Sequence, residues 1–107
     1  MPGTSEGFPF DDRVLVFKVG GKIFALIDIE TAEYVNLKCD PLRAIDLRER
    51  HAAVRPGYHM NKEHWNSVYI KELGDQALLK EWTDHSYELI FKSLKKALQQ
   101  EIKDMAQ

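Results

Sequence analysis

The fold is decided first by residues 14–28, which read VLVFKVGGKIFALID. Hydrophobic residues recur through the stretches on both sides of Gly20-Gly21, and both stretches are typical of extended strands. Two glycines between such runs favour a type I′ turn, because that turn needs a positive φ at both central residues. The stretch therefore predicts a β-hairpin whose strands are residues 14–19 and 22–28.

Further strands are predicted downstream of this hairpin. Residues 34–38 and 65–71 alternate between apolar and polar side chains, so they are predicted as a third and a fourth strand. Residues 58–60 are a weaker candidate for another short strand. Residues 1–12 contain Gly3, Gly7 and Pro9 and are expected to be irregular.

Two helices follow from capping signals. Asp40 can cap free N–H groups and Pro41 suits the first helical position, so a helix is predicted from there to about Arg50. Asp75 is predicted to cap a long helix with apolar residues at helical spacing. That helical pattern continues to the end of the chain, with a bend near Ser93.

The order of these elements predicts an α+β fold in a single domain, residues 1–107. Short connections between the first three strands favour antiparallel pairing, since parallel neighbours need long crossovers. We expect an antiparallel sheet of four to five strands with helices packed on one face. The other face is expected to be partly solvated and to carry any binding surface.

Composition excludes several classes of protein. Of the 107 residues 44% are hydrophobic and the formal net charge is −2, which does not fit a disordered chain. No apolar run approaches the roughly 20 residues of a membrane-spanning helix, so no membrane association is expected. Cys39 is the single cysteine, which excludes an internal disulfide and fits a cytoplasmic location.

Five stretches together resemble the MmcQ/YjbR family. Two are the most specific: residues 36–41 (NLKCDP) and residues 56–65 (PGYHMNKEHW). Three others agree with the family: residues 2–10 (PGTSEGFPF), 16–25 (VFKVGGKIFA) and 84–89 (DHSYEL). The resemblance covers nearly the whole chain.

The resemblance implies a frataxin-like (CyaY-like) arrangement and DNA binding through a double-wing motif, in which hairpins act as the wings. Members that look like this chain carry a helix before the Pro-Gly-Thr segment, which here begins at Met1. The domain is therefore expected to lack that N-terminal helix. Apolar surface left uncovered would then favour a homodimer.

The charges are distributed unevenly along the chain, as a DNA-binding surface requires. Between Lys38 and Lys71 there are seven basic and four acidic side chains, against eight basic and thirteen acidic elsewhere. Phosphate binding depends on such local clusters, because neutralised phosphates release condensed counterions. Lys18 and Lys22 flank the glycine turn and would present paired cations. The side chains predicted to contact DNA, with weak sequence specificity, are Lys18, Lys22, Lys38, Arg55, His59, Asn61, Lys62 and His64.

Other interpretations of the same residues remain open. A pI of about 6.1 is unlike that of dedicated DNA-binding domains, whose pI is usually above about 9. In a structural interpretation, Tyr58 and Trp65 fill the core and Asn61 caps a short turn at residues 62–64. The alternative function is a protein-protein interaction module with no nucleic-acid role.

Metal binding, a cofactor and enzymatic activity are not expected. Cys39, His59 and His64 are the possible soft or borderline metal ligands, but a spacing of five does not put both histidines on one helical face, and Cys39 has no partner cysteine. Only thin carboxylate clusters are present, formed by Glu30 with Glu33 and by Glu6 with Asp11 and Asp12. There is no nucleophile elbow and no phosphate-cradling glycine loop. His85 and Ser86 are adjacent on a predicted helix, where neighbouring side chains do not face each other.

Overall fold

Residues 1–106, the part of the chain that the computed structural model describes, form one antiparallel sheet of six strands and four helices. The strands are β1 (Thr4–Gly7), β2 (Val14–Val19), β3 (Lys22–Asp28), β4 (Tyr34–Lys38), β5 (Val54–Pro56) and β6 (Trp65–Tyr69). The helices are α1 (Pro41–Arg50), α2 (Ile70–Leu73), α3 (Gln76–Ser93) and α4 (Lys96–Met105). The predicted α+β class is confirmed, with six strands instead of the predicted four to five.

The two additional strands lie at the edges of the sheet. The strand order is β1-β2-β3-β4-β6-β5, and every neighbouring pair is antiparallel. β1 falls in the segment predicted to be irregular, because its sequence TSEG has no apolar alternation and is ordered by pairing with β2. β5 has three residues, too few for a periodic signal.

One candidate strand and one predicted strand end are wrong. Residues 58–60 are a turn and not a strand, because the backbone of His59 has a φ of 58° and cannot continue an extended chain. β6 ends at Tyr69 and not at Lys71, since the Ile70 amide donates a hydrogen bond to the Glu33 carbonyl and α2 begins there.

The hairpin predicted at Gly20-Gly21 is confirmed. The two glycines have φ values of 55° and 83°, as a type I′ turn requires. A side chain at Gly20 would lie 2.6 Å from the Leu94 Cδ1 atom, so the hairpin tip packs tightly on the junction of α3 and α4. The tip is therefore part of the packed structure.

Both predicted helix starts are confirmed by capping geometry. The Asp40 carboxylate accepts hydrogen bonds from the Leu42 and Arg43 amides at 3.1 and 3.3 Å. The Asp75 carboxylate accepts one from the Leu78 amide at 3.0 Å. α3 ends at Ser93 and α4 begins three residues later, where the sequence predicted a bend.

The helices cover one face of the sheet and enclose the hydrophobic core. Strand residues such as Leu37 and Val68 pack there against Trp82 and Ile90 of α3. The Phe24 and Tyr87 rings meet edge to face with centroids 5.5 Å apart. This packing leaves the second face of the sheet without helices, and we call it the open face.

The Ser86 side chain of α3 takes the place of backbone hydrogen bonding between β3 and β4. The β3–β4 ladder begins at the Ala25–Leu37 pair, so the Phe24 carbonyl and the Lys38 amide have no ladder partner there. The Ser86 hydroxyl donates to the Phe24 carbonyl at 2.6 Å and accepts from the Lys38 amide at 2.9 Å. α3 is thereby fixed to the ends of both strands.

Candidate functional site

The centre of the open face is a row of residues set by strand register. Each residue of the row pairs with the next across neighbouring strands. From β2 to β5 the row is Val16, Leu26, Asn36, Ser67 and Arg55. Val16 and Leu26 are buried although they do not belong to the helix-side core. Non-helical parts of the chain therefore cover the open face at these two residues.

The segment between β5 and β6 is held over this row by two polar side chains. The Ser67 hydroxyl donates to the amide oxygen of Asn36, and the two side chains are 0% and 7% exposed. The Ser67 oxygen accepts from the Tyr58 amide at 2.9 Å, and the Asn36 amide group donates to the Tyr58 carbonyl at 3.3 Å. The backbone of Tyr58 is therefore tied to the sheet on both sides.

An open groove of about 520 Å³ lies between this segment and the N-terminal segment. Its floor is mainly apolar and includes Ile23 and Leu26. Its exposed rings are Phe10 from the N-terminal segment and Tyr58 from the β5–β6 segment, which are 67% and 53% exposed. Ligand sites are commonly concave, apolar and aromatic with few polar groups, and this groove has that character.

Lys18 and Lys38 are brought together on the open face. Lys18 is two residues from Val16 on β2, and Lys38 is two residues from Asn36 on β4, so strand alternation gives them the same face. Lys18 pairs with Ile23, which lines the groove. Neither lysine forms an ion pair with a carboxylate of residues 1–106.

Lys22 is not brought together with Lys18. The register pairs Lys22 with Val19, a residue of the helix-side core, whereas Lys18 pairs with Ile23 on the open face. Because paired residues share a face, the two lysines belong to opposite faces of the hairpin. The arrangement of paired cations expected at the turn is therefore not formed.

Arg55 lies on the open face but is already engaged. Its guanidinium is 2.8 Å from both carboxylate oxygens of Glu72 and stands 3.9 Å above the centre of the Tyr69 ring. A carboxylate that neutralises Arg55 makes it a poor phosphate contact.

The remaining predicted residues lie in the β5–β6 segment. The Asn61 side chain accepts hydrogen bonds from the Glu63 and His64 amides, which confirms that it caps a short turn. The Lys62 ammonium donates to the Gly57 carbonyl at 3.2 Å, within the same segment. Asn61 has a structural task in this turn, while the exposed Lys62 carries a charge that no carboxylate of the described chain neutralises.

Arg48 is a residue whose role the sequence did not indicate. Its guanidinium donates to the carbonyls of Lys62 and Trp65 and, at 2.7 Å, to the Asn66 side chain. Arg48 thus fixes the β5–β6 segment (residues 57–64) and the start of β6 to α1. No local pattern could reveal this, because the contacts depend on how α1 docks against a loop.

A cluster of aromatic side chains on the open face was also missed. Tyr34 lies between Tyr69 and Tyr58, with ring centroids 5.1 and 6.0 Å away. The Tyr58 ring contacts the His59 imidazole, whose centroid is 4.0 Å away. Alternation placed Tyr34 and Tyr69 on the polar faces of their strands, but it could not show that β4 pairs with β6.

The interpretation that Tyr58 fills the core is wrong, since it is one of the exposed large side chains. Trp65 is part-exposed and lies outside the helix-side core. Tyr58 cannot turn inward because both of its backbone polar groups are bound to Asn36 and Ser67 on the open face.

Two titratable groups lie away from this surface, around the end of β4. Burial raises the pKa of the Cys39 thiol, so it is a poor nucleophile and metal ligand at neutral pH. Burial lowers the pKa of His85, with a smaller contribution from the Arg43 charge. Within residues 1–106, no three His, Cys, Asp or Glu side chains are grouped in a way that would hold a metal ion.

None of the helices within residues 1–106 has the length and hydropathy needed to cross a bilayer.

Comparison with known proteins identifies the relatives of this chain. The YjbR family model matches residues 1–89. The protein YbdF of Escherichia coli O157:H7 is 38% identical over 104 residues, which cover 96% of this chain and 85% of YbdF. YjbR of Escherichia coli strain K12 is 37% identical over 70 residues, 64% of this chain and 59% of that protein.

The fold is shared with a solved structure. The crystal structure of Deinococcus radiodurans protein DR2400, a DUF419 domain, superposes with a TM-score of 0.89 at 40% sequence identity. The similarity covers 96% of this chain and 80% of that one. Family model, relatives and structure agree, and the chain belongs to the YjbR family.

Proposed function

We propose that this protein binds nucleic acid on its open face, through phosphate contacts and with weak sequence specificity. The observation that carries the proposal is the position of Lys18 and Lys38. They come from separate strands, share one face and one end of the sheet, and have no carboxylate partner within residues 1–106. Lys62 adds a third charge in the neighbouring segment.

The two lysines lie far enough apart to contact different phosphates of one nucleic-acid strand. Neighbouring strands lie about 4.8 Å apart, so residues on β2 and β4 are about 10 Å apart across the intervening β3. Lysine is a point charge on a flexible stem, which tolerates variation in the position of the phosphate. The β5–β6 segment also carries His59, which lines the groove with Ile23, and His64, whose carbonyl accepts a hydrogen bond from the Cys39 amide. Both imidazoles can donate hydrogen bonds.

Weak sequence specificity is supported by the arginine side chains, which are already bound to other groups of the protein. Bidentate contacts from arginine to guanine are the commonest specific readout of bases. Arg13, Arg43, Arg50 and Arg55 are each paired with carboxylates, and Arg48 is bound to backbone carbonyls and Asn66. All five arginines of the chain are therefore occupied, and the free cations are lysines.

The test compares two double variants that change the net charge equally. Lys18→Ala/Lys38→Ala removes the open-face charges, and Lys92→Ala/Lys95→Ala removes two exposed lysines at the α3–α4 junction. Binding of a fluorescent 20-nucleotide strand is measured by anisotropy between ~25 and ~200 mM salt. The first variant should bind more weakly, with a salt slope smaller by about 1.4, while the second should bind like wild type.

Two results would overturn the proposal. One is the absence of binding by the wild type at ~50 mM salt, where phosphate contacts are strong. The other is equal weakening by both double variants, which would indicate a nonspecific effect of net charge.

A second candidate function, protein-protein interaction with a second copy of this chain, is favoured by α1. Leu42 and Ile45 lie one turn apart on this helix and are 80% and 51% exposed. If the wild type binds no oligonucleotide, sedimentation of wild type against Leu42→Ser/Ile45→Ser tests this candidate. A self-associating wild type and a monomeric variant would support it.

A further inference from the structure

The turn from Gly57 to Met60 holds a histidine in a conformation that favours glycine. The Met60 amide donates to the Gly57 carbonyl at 3.2 Å, and His59 at the third position has a φ of 58°. This is the pattern of a type II turn, in which glycine is usual at that position. Ala32 has a similar φ of 49° and histidine adopts this region more readily than most residues, so the role of the His59 side chain is judged from its contacts.

That role is suggested by what the imidazole contacts. The His59 ring lies against the Tyr58 ring, with centroids 4.0 Å apart and planes inclined by 53°. Both residues are exposed, so the contact does not fill the core. The pair stands at the edge of the groove whose other exposed ring is Phe10.

The pair is also held rigidly, which distinguishes it from an ordinary exposed loop. The Tyr58 backbone is bound on both sides by Ser67 and Asn36, which are buried in the sheet. The Tyr34 ring meets the Tyr58 ring edge to face at 6.0 Å and limits its movement. A ring pre-positioned in this way loses little conformational entropy when a ligand stacks on it.

We infer that Tyr58, His59 and Phe10 form a stacking site for the bases of single-stranded nucleic acid. This inference rests on the proposed function, since Lys18 and Lys38 would hold the phosphates beside the groove. Bases of a duplex are stacked on each other and offer no free face, whereas splayed bases of a single strand stack on aromatic side chains. The protein should therefore prefer single strands to duplexes.

The experiment measures binding of a 20-nucleotide thymidine strand and of a 20-base-pair duplex at one salt concentration. The variants are Tyr58→Leu, His59→Gly and Phe10→Ala. The control is Met105→Ala, which truncates an exposed apolar side chain at the end of α4. Tyr58→Leu should weaken single-strand binding about ten-fold. Duplex binding should stay within about two-fold of wild type, which is the variation expected for an unrelated surface substitution.

His59→Gly separates binding from folding. Glycine removes the imidazole and relieves the left-handed backbone, so the thermal midpoint should be equal to or higher than that of wild type. Single-strand affinity should nevertheless fall. A variant with unchanged folding and reduced binding could not be explained by a structural role of His59.

The outcomes distinguish this inference from the proposed function. If all three ring variants bind the single strand like wild type while Lys18→Ala/Lys38→Ala weakens binding, the stacking site is wrong and the phosphate contacts stand. If the ring variants weaken single-strand and duplex binding equally, the stacking site is also wrong. If the wild type binds neither probe, both are wrong.

Discussion

The Ser67 hydroxyl donates a hydrogen bond to the Asn36 amide oxygen across β4 and β6, at the centre of the open face. The same two side chains bind the amide and the carbonyl of Tyr58. One buried pair therefore links two neighbouring strands to the segment that carries the exposed rings. The stability of the sheet and the geometry of the candidate site depend on the same hydrogen bonds.

Removing the hydroxyl should destabilise the protein. Ser67→Ala leaves the Asn36 oxygen and the Tyr58 amide without their partner in a buried position, which costs about 1–3 kcal/mol. Urea denaturation followed by fluorescence would measure the change in the free energy of unfolding. Ser5→Ala, an exposed position on β1, should change it by less than about 0.5 kcal/mol. Equal values for the two variants would contradict the assignment.

Ser86→Ala should have a similar effect on stability for a different reason. The variant leaves the Phe24 carbonyl and the Lys38 amide unpaired at the point where the β3–β4 ladder is interrupted. A loss of about 1–3 kcal/mol in the free energy of unfolding is expected. Hydrogen exchange should be faster at the Lys38 amide than in wild type. Unchanged exchange at that amide would show that Ser86 does not close the ladder.

Local signals made much of the fold predictable. Gly20-Gly21 fixes its turn through backbone freedom, and Asp40 and Asp75 cap helices through atoms only two or three residues away. β1 carried no such signal, because its polar sequence becomes a strand through the free edge of β2. Whether residues 4–7 form a strand therefore depends on their pairing with β2 and not on their own sequence.

The site was less predictable, because the availability of a charge depends on distant partners. Lys18 and Lys22 look equivalent beside the turn, yet the register assigns them to opposite faces. Arg55 looks like a free cation until α2 brings Glu72 to it from 17 residues away. Strand alternation indicated which residues share a face within a strand, and only the order of the strands shows which lysines meet.

The pH dependence of stability should include a contribution from His85. Burial, and then the Arg43 charge, lower its pKa in the folded protein, while Asp40 and Glu81 partly oppose them. As the pH falls, the unfolded chain therefore takes up this proton first, near a pH of about 6.5. Stability is lost from there down to the lower folded pKa. The protonated ring also cannot accept the hydrogen bond that the Asp40 amide donates to its Nε2 atom.

His85→Gln should remove this contribution, so the variant should lose less stability than wild type when the pH falls from about 7.5 to about 5. Denaturant unfolding at the two pH values provides the comparison. The difference between the proteins is the informative quantity, because every other residue is the same in both. A larger loss in the variant would mean that folding raises the pKa of His85.

Glu72→Gln should strengthen nucleic-acid binding. Its carboxylate lies 2.8 Å from the Arg55 guanidinium, and removing its charge leaves Arg55 as a free cation above Tyr69 on the open face. The salt slope for a single strand should then become steeper by about 0.7, as one more phosphate is engaged. Because the pair is exposed, stability should change by no more than about 1 kcal/mol.

The matched control is Glu81→Gln, which changes the net charge equally but releases Arg43, an arginine of α1 paired with α3. That variant should bind the single strand with the affinity and the salt slope of wild type. If the Glu81 variant gains as much affinity as the Glu72 variant, binding responds to total charge and the open face has no special part in it. A gain confined to Glu72→Gln would locate the phosphates beside Arg55, on the same face as Lys18 and Lys38.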